Sequence, residues 1–182
     1  LLGSANDNVT AVGQRGAMDS TGVDINFVSV LNRIKRIGGA HRILIIDSKY
    51  GYIPGFYLGL DAPSATTVRL AMLHAISDKT EWLAWLGLEE QNPDDWLKIQ
   101  FACLVADNTD LRCTAVEECL EAISCGVQFV PVARSDMNST VESAHHTVHR
   151  ASDHNMHGTT HGKKKERGEA SPDEDACHTI IE

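Results

Sequence analysis

The stretch "CLVADNTDLRC", residues 103–113, places a short apolar run directly before an Asp–Asn pair and then becomes polar. A short apolar run bounded by turn residues is typical of a buried strand. We therefore predict a strand over "FACLVAD", residues 101–107, that ends at Asp107. A carboxylate at the end of a strand is common, so its meaning depends on which other acids the fold brings near it.

Composition limits the class of protein. At 182 residues the chain is long enough for one domain with a real core. No apolar run approaches the roughly 18 residues needed to cross a bilayer, so we expect a soluble, cytoplasmic protein without a membrane partner. The five cysteines show no zinc-ligand spacing, which argues against a zinc finger and against a disulfide framework. The net charge of −9 disfavours nucleic-acid binding unless basic surface is supplied from elsewhere.

The first half of the chain has the patterns of strands followed by a helix. "VDINFVSVL", residues 23–31, alternates apolar and polar residues and predicts a first strand, with Asp19 at or just before its start. The Gly pair in "NRIKRIGGAH" predicts a loop or hairpin connection. "RILIID" and "IPGFYLG" predict two antiparallel strands. A helix is then predicted to begin at Pro63 and Ser64.

The second half alternates strands and helices. After the strand that ends at Asp107, "AVEECLEAI" predicts an amphipathic helix that Gly126 ends, and "VQFVPV" predicts a short strand. "NSTVESAHHTVHRA" predicts a last helix, capped by Asn138, Ser139 or Thr140. The Trp-rich stretch between residues 81 and 96 is interpreted as core and surface packing. Together these patterns predict an α/β fold with a mixed sheet and helices packed against it.

Three carboxylates occupy positions that such a fold can bring together. Asp19 lies at the first strand, Asp107 ends the "CLVA" strand, and Glu142 lies near the start of the last helix. Asp107 follows Asp19 by 88 residues, and Glu142 follows Asp107 by 35. Taken singly, each acid has an ordinary structural explanation, such as a turn or a helix N-terminus.

The order and spacing of these motifs resemble the catalytic core of DDE transposases and retroviral-type integrases, and in particular TnsB-type transposases of Tn7-like and Mu-like elements. "MDSTGVDI" resembles the strand of the first Asp, and "RILIIDSKYGYIPGFYLGLDAPS" the next two strands with their turn. "AISDKTEWLAWLGLE" resembles the helix and connection that follow. "CLVADN" is similar to the strand of the second Asp, and "PVARSDMNSTVES" to the approach and helix of the Glu. The resemblance covers roughly residues 18–158.

The resemblance implies a ribonuclease-H-like fold in which Asp19, Asp107 and Glu142 are the catalytic metal ligands. It divides the chain into a linker or end of a preceding domain (1–17), an integrase-type core (18–158) and a flexible charged tail (159–182). The implied activity is that of a polynucleotidyl transferase with two Mg²⁺ or Mn²⁺ ions, which cleaves transposon 3′ ends and joins them to target DNA. Two such ions stabilise the attacking and leaving oxygens, so no Ser, Cys or Tyr nucleophile is required.

The resemblance also implies partners. These are transposon-end and target DNA, further copies of the chain in a DNA-assembled homo-oligomer, an ATPase regulator and target-selection proteins. The protein would then be nucleoid-associated while bound to DNA. Because flanking domains bind the element ends in this family, we expect the isolated fragment to bind DNA poorly.

The chain departs from the family pattern near the Glu. Members commonly carry a Lys–Gly pair three to four residues before it, where this chain has Asn138 and Ser139. The resemblance implies that this Lys contacts a phosphate of the DNA. Its absence here removes that contact, so the sequence supports the fold more strongly than it supports the activity. Downstream, "SAHHTVHRAS" leaves Arg150 and several His residues to face DNA, and His is mostly uncharged at neutral pH.

Other residues have competing interpretations. Asp47 also follows an apolar strand and is either a fourth acid near the site or, as we favour, a structural turn residue. His145 and His149 have the i, i+4 spacing of a zinc clamp. Because no third ligand has suitable spacing, we expect a solvated helix face instead. Three lysines in the tail, residues 163–165, are interpreted as solvated linker.

Three other functions compete with a catalytic transposase. A receiver-type signalling domain would use Asp47 in its acid pocket and Asp107 as phosphoacceptor, but the expected strand and Lys after "VQFVPV" are missing. A cysteine hydrolase of the isochorismatase kind would use Asp47 and Cys113 with a catalytic Lys between them. The lysines present there, Lys49, Lys79 and Lys98, have no recognisable setting. A catalytically weakened transposase-core homologue would act only in assembly.

Overall fold

The computed structural model describes residues 8–107, 114–129, 139–161 and 172–180. One sheet contains five strands: β1 (Gly16–Val28), β2 (Arg36–Asp47), β3 (Gly55–Gly59), β4 (Cys103–Ala106) and β5 (Gly126–Phe129). Their order is β3-β2-β1-β4-β5. β1, β2 and β3 form an antiparallel meander, whereas β4 and β5 run parallel to β1. The predicted mixed sheet of ribonuclease-H-like class is confirmed. The antiparallel meander is incompatible with the receiver alternative, whose sheet is parallel.

Four helices flank the sheet: α1 (Ala65–Ile76), α2 (Thr80–Trp85), α3 (Thr114–Ala122) and α4 (Ser139–Ala151). α1 begins where the sequence predicted, because Ser64 and Thr67 form a capping box. The Ser64 hydroxyl accepts from the Thr67 N–H, and the Ser64 N–H donates to Thr67 Oγ1 at 2.8 Å. Asn138, one of the three candidate caps of α4, lies outside the described residues.

The two faces of the sheet bury different helices. One face packs against α1 and α3, and Met18, Leu104 and Val116 belong to its core. The other face packs against α4 through Ala17 and Val141, which belong to a smaller core. Successive residues of β1 therefore point to opposite faces, as the pleat of a strand requires. None of the helices among the described residues is long and apolar enough to cross a membrane.

The first strand begins earlier than predicted. β1 starts at Gly16 rather than at residue 23, so Asp19 lies within the strand and pairs with Leu44 of β2. The polar residues there do not break the strand, because β2 and β4 both pair with its first residues. The Gly pair also lies in a strand, β2, rather than in the connection. Gly38 has a φ of +98° at a register shift, a conformation that suits glycine.

Two further boundaries differ from the prediction. α3 is followed by Ser124 with a φ of 56°, and Gly126 is instead the first residue of β5. The predicted flexible tail contains a described segment, residues 172–180, that lies against the sheet. The Val28 N–H donates to the His178 carbonyl at 2.9 Å, and Thr179 is buried. The three tail lysines lie outside the described residues.

Candidate active site

Asp19 and Asp107 lie at the same level on neighbouring strands. In the parallel pair of β1 and β4, Ala17 is opposite Val105 and Met18 is opposite Ala106. Asp19 and Asp107 directly follow that last pair, and both are half-buried. Because side chains alternate along a strand, Asp19 points to the same face as Ala17, which is the α4 face. By the same alternation Asp107, two residues after Val105, belongs to that face.

Glu142 lies on the helix that covers this face. It is exposed in the first turn of α4, next to Val141, which is fully buried against the sheet. His145, one turn further on, reaches Asp19 directly. Its Nε2 lies 3.3 Å from the Asp19 carbonyl oxygen and 3.9 Å from Asp19 Oδ2. The first two turns of α4 therefore lie over the part of β1 that carries Asp19.

The three predicted acids do not form a tight cluster. Among the described residues, Asp24, His149 and His154 are the one group of three whose ligand atoms all lie within 4.8 Å. Asp19 and Asp107 directly follow the paired residues of β1 and β4, and Glu142 lies on the helix that covers this face, but the carboxylate oxygens of the three acids are more widely spread than the ligand atoms of that group.

His145 was interpreted from the sequence as part of a solvated helix face, and this was wrong. Its side chain is buried, with 5% of its surface exposed. Burial lowers the pKa of His145 to about 4, although the Asp19 carbonyl opposes that shift, so the ring is neutral at neutral pH. The apolar residues Val141 and Val148 flank it at helical spacing, and this pattern was the available signal that His145 faces inward.

His149 was also wrongly interpreted as solvated. It is buried, and burial together with the nearby Arg42 guanidinium lowers its pKa. Asp24 and His154 lie beside it, but His145 does not belong to that group, so the spacing of His145 and His149 does not correspond to a shared metal site among the described residues. No local pattern in the sequence indicates this contact, because Asp24 is far from His149 in the chain and reaches it only through the packing of α4 on β1. On α4 this leaves His146 and Arg150 exposed toward any DNA.

Asp47 has the structural role that we favoured. It is fully buried, and its carboxylate accepts hydrogen bonds from the N–H groups of Gly13, Lys49 and Tyr50 at 2.9–3.0 Å. These bonds hold the turn after β2 against the segment that leads into β1. The cysteine hydrolase alternative requires Asp47 as its acid, but the Asp47 carboxylate is already used in these structural hydrogen bonds. Cys113, the other residue of that alternative, lies outside the described residues.

Lys79, one of the candidates for the hydrolase lysine, is also structural. It is buried, and its ammonium group donates to the carbonyl oxygens of His74 and Ser77. These contacts join the end of α1 to the start of α2. Burial lowers the pKa of Lys79, and the neighbouring Asp78 opposes that shift.

The mixed five-stranded sheet with helices on both faces defines an α/β protein of ribonuclease-H-like class. Comparison with known families matches residues 17–158 to the family described as TnsB C-terminal domain. The chain therefore belongs to that family.

Two individual proteins show how far the similarity extends. The chain is 29% identical over 184 residues to the transposon Tn7 transposition protein TnsB of Escherichia coli. That match covers all of this chain but only 26% of the length of TnsB. Among solved structures, a simian T-cell lymphotropic virus intasome in complex with the PP2A regulatory subunit B56 gamma has a TM-score of 0.48 and 10% identity. That alignment covers 79% of this chain and 43% of the intasome chain.

Proposed function

We propose that this chain is the catalytic part of a DNA transposase that cleaves transposon 3′ ends and joins them to target DNA. Asp19, Asp107 and Glu142 are its metal-binding carboxylates. The observation that carries the proposal is that Asp19 and Asp107 each directly follow Met18 and Ala106, the last residues paired between the parallel strands β1 and β4, while the first turns of α4 lie over Asp19. The similarity to TnsB supports the reaction class.

The donor set suits Mg²⁺ or Mn²⁺. All three side chains offer hard carboxylate oxygens, and Mg²⁺ keeps other positions for water and phosphate. Asp19, Asp107 and Glu142 would hold the ions through these oxygens. Bound ions would supply charge stabilisation for the attacking and leaving oxygens of a phosphodiester.

The residues of the chain position this site. The pairing of β1 with β4 fixes Asp19 relative to Asp107. The contact of His145 with Asp19 and the burial of Val141 fix the helix that carries Glu142. Because His145 is neutral at neutral pH, it adds no positive charge that would compete with a cation beside Asp19. By family resemblance the active form is a DNA-assembled oligomer that works with an ATPase regulator and target-selection proteins.

A strand-transfer assay tests the proposal directly. The full-length protein, pre-cut transposon ends and Mg²⁺ are incubated with target DNA, and joined products are counted. We expect Asp107→Asn and Glu142→Gln each to slow joining by about a hundredfold or more, because each loses a ligand to the ions. Glu118→Gln is the matched control, since Glu118 is exposed on α3 at the opposite face. Joining by the two site variants at the wild-type rate would refute the assignment.

A catalytically weakened homologue that acts in assembly is the second candidate. It is favoured by the wider spread of the three acids and by the replacement of the Lys–Gly pair with Asn138 and Ser139. This candidate predicts a wild-type protein that binds transposon ends normally and joins none of them. The same assay, with end binding measured in parallel, separates the two functions.

A further inference from the structure

Asp24, His149 and His154 have the spacing of ligands around a single ion. Asp24 Oδ2 lies 3.1 Å from His154 Nε2 and 3.5 Å from His149 Nδ1. An ion with four tetrahedral ligands at about 2.0–2.2 Å sets those ligand atoms roughly 3.3 Å apart. All three ligand atoms lie within 4.8 Å of one another.

His149 provides an independent indication of a ligand. The residue is 9% exposed, and its Nδ1 is buried without a hydrogen-bond partner. Asp153 Oδ2 lies 2.7 Å from that nitrogen, but the contact does not have the geometry of a hydrogen bond. The Asp153 carboxylate is instead bound by Arg42 at 3.1 and 3.3 Å. Because a buried polar atom without a partner is costly, an ion held by Nδ1 and Asp24 would satisfy it.

A fourth ligand is available at the open side of this group. His161 Nδ1 lies 3.9 Å from Asp24 Oδ2, and the His161 ring stacks on the His154 ring with centroids 3.5 Å apart. His161 is exposed, whereas His149 is buried. A small movement of the exposed His161 side chain would bring three imidazoles and one carboxylate into a tetrahedral coordination shell.

We infer that Asp24, His149, His154 and His161 bind one transition-metal ion, in the first place Zn²⁺. Nitrogen ligands mixed with a carboxylate suit Zn²⁺, whereas Mg²⁺ prefers oxygen ligands alone. Asp24 contacts His149, whereas Asp19 contacts His145 one turn earlier on α4, and none of the three proposed catalytic acids belongs to the group around Asp24. The site is therefore separate from the three proposed catalytic acids and does not depend on their function.

The ion would act as a structural clip. Asp24 belongs to β1, His149 to the last turns of α4, and His154 to the short 3-10 helix Asp153–Asn155 that follows. A shared ion would tie the end of α4 to the sheet, at the opposite end of the helix from Glu142. With four protein ligands, no position would remain for substrate or for a reactive water.

Metal titration of the 182-residue chain tests this site. The protein is treated with a chelator, and ZnCl₂ is then titrated in competition with a chromophoric zinc chelator. We expect one ion per chain with a micromolar or tighter Kd, and a rise in Tm of roughly 5 °C at saturation. Co²⁺ in place of Zn²⁺ should give the intense visible absorption of a four-coordinate site.

Ligand variants locate the ion. His154→Gln and His161→Ala should each weaken Zn²⁺ binding at least about tenfold and reduce the Co²⁺ absorption. His157→Gln is the matched control, since His157 is exposed and lies outside the group. Circular dichroism checks the fold of each variant, and His161→Ala changes an exposed side chain. Absence of Zn²⁺ binding by the wild type, or wild-type affinity in both ligand variants, would overturn the inference.

Discussion

Asp47 and Asp107 both follow an apolar strand, yet their surroundings differ. Asp47 is fully buried and its carboxylate accepts three backbone N–H bonds, whereas Asp107 is half-buried beside Asp19 at the edge of a parallel pair. Hydrogen bonds to a charged acceptor are stronger than neutral ones, so the Asp47 carboxylate stabilises the turn after β2. At the residue scale, the environment and not the residue type separates a structural acid from a candidate ligand.

Removal of the Asp47 carboxylate should destabilise the fold. Asp47→Ala leaves three backbone N–H groups without their acceptor, and each bond to a charged group contributes about 1.5–3 kcal/mol. Because water can reach part of the vacated turn, we expect a total loss of about 3 kcal/mol in the free energy of unfolding. Urea denaturation measures this loss, with Glu90→Gln as an exposed control. A loss below 1 kcal/mol would contradict the structural role.

Exchange of one ligand atom should change the metal preference of the proposed catalytic site. In Asp107→Cys the hard carboxylate becomes a thiolate, which suits Mg²⁺ poorly and accepts softer ions such as Mn²⁺ better. We expect almost no strand transfer by this variant in Mg²⁺ and partial recovery in Mn²⁺. Asp107→Ala is the matched control and should remain inactive with both ions. Equal activity of the Cys variant in the two metals would contradict direct ligation.

His74 should make stability depend on pH. Burial, and secondarily the nearby Lys79 ammonium, lowers the pKa of His74 to about 4, against 6.5 for an ordinary His. The unfolded chain therefore binds more protons between pH 4 and 6.5. The stabilisation from neutral His74 is complete above pH 6.5 and is lost as the pH falls toward 4. At about 1.4 kcal/mol per pKa unit, discounted for partial exposure, the loss is about 2 kcal/mol.

His74→Phe tests that dependence. The replacement retains a ring against Phe56 and Trp82, which contact His74 edge-on at 4.7 Å. It cannot be protonated, so its unfolding free energy should fall less than that of the wild type between pH 7 and pH 4. Urea denaturation at several pH values measures the difference. Parallel pH profiles for the two proteins would show that His74 does not contribute.

At the scale of the elements, the start of α1 depends on two small side chains. The capping box of Ser64 and Thr67 satisfies N–H groups that a helix leaves without partners at its first turn. Ser64→Ala should lower the free energy of unfolding by about 1 kcal/mol. Thr66→Ala is the matched control, since Thr66 is exposed in the same turn. Thermal denaturation compares them, and an equal Tm for both variants would contradict the capping role.

The elements also show what could be predicted from the sequence. The apolar runs of β3 and β4 and the cap of α1 are local signals, so these elements were located correctly, whereas β2 begins at Arg36, before its apolar run. The early start of β1 is not a local signal, because its polar residues become strand only by pairing with β2 and β4. The burial of His145 and His149 likewise depends on the packing of α4. The three candidate acids were chosen through the family resemblance and stay a prediction, whereas the group around Asp24 arises from the tertiary fold.

At the scale of the whole molecule, the net charge of this chain affects how strongly it can bind DNA. Its net charge is −9, and the exposed basic side chains of α4 are His146 and Arg150. Binding to DNA depends mainly on cationic side chains that neutralise phosphates. The chain spans only 26% of the length of TnsB.

The 182-residue chain alone should therefore bind duplex DNA weakly. We expect a Kd no tighter than about 10⁻⁵ M in 150 mM salt, within the range of non-specific binding, and a shallow dependence on salt because few phosphates are neutralised. Fluorescence anisotropy with a labelled duplex measures both quantities, and the full-length protein with transposon-end DNA is the positive control. His146→Lys, which adds one charge on the exposed face of α4, should tighten binding and steepen the salt dependence. Submicromolar binding by the wild-type chain would contradict this prediction. It would mean that the chain binds DNA tightly despite its net charge and needs no further basic surface.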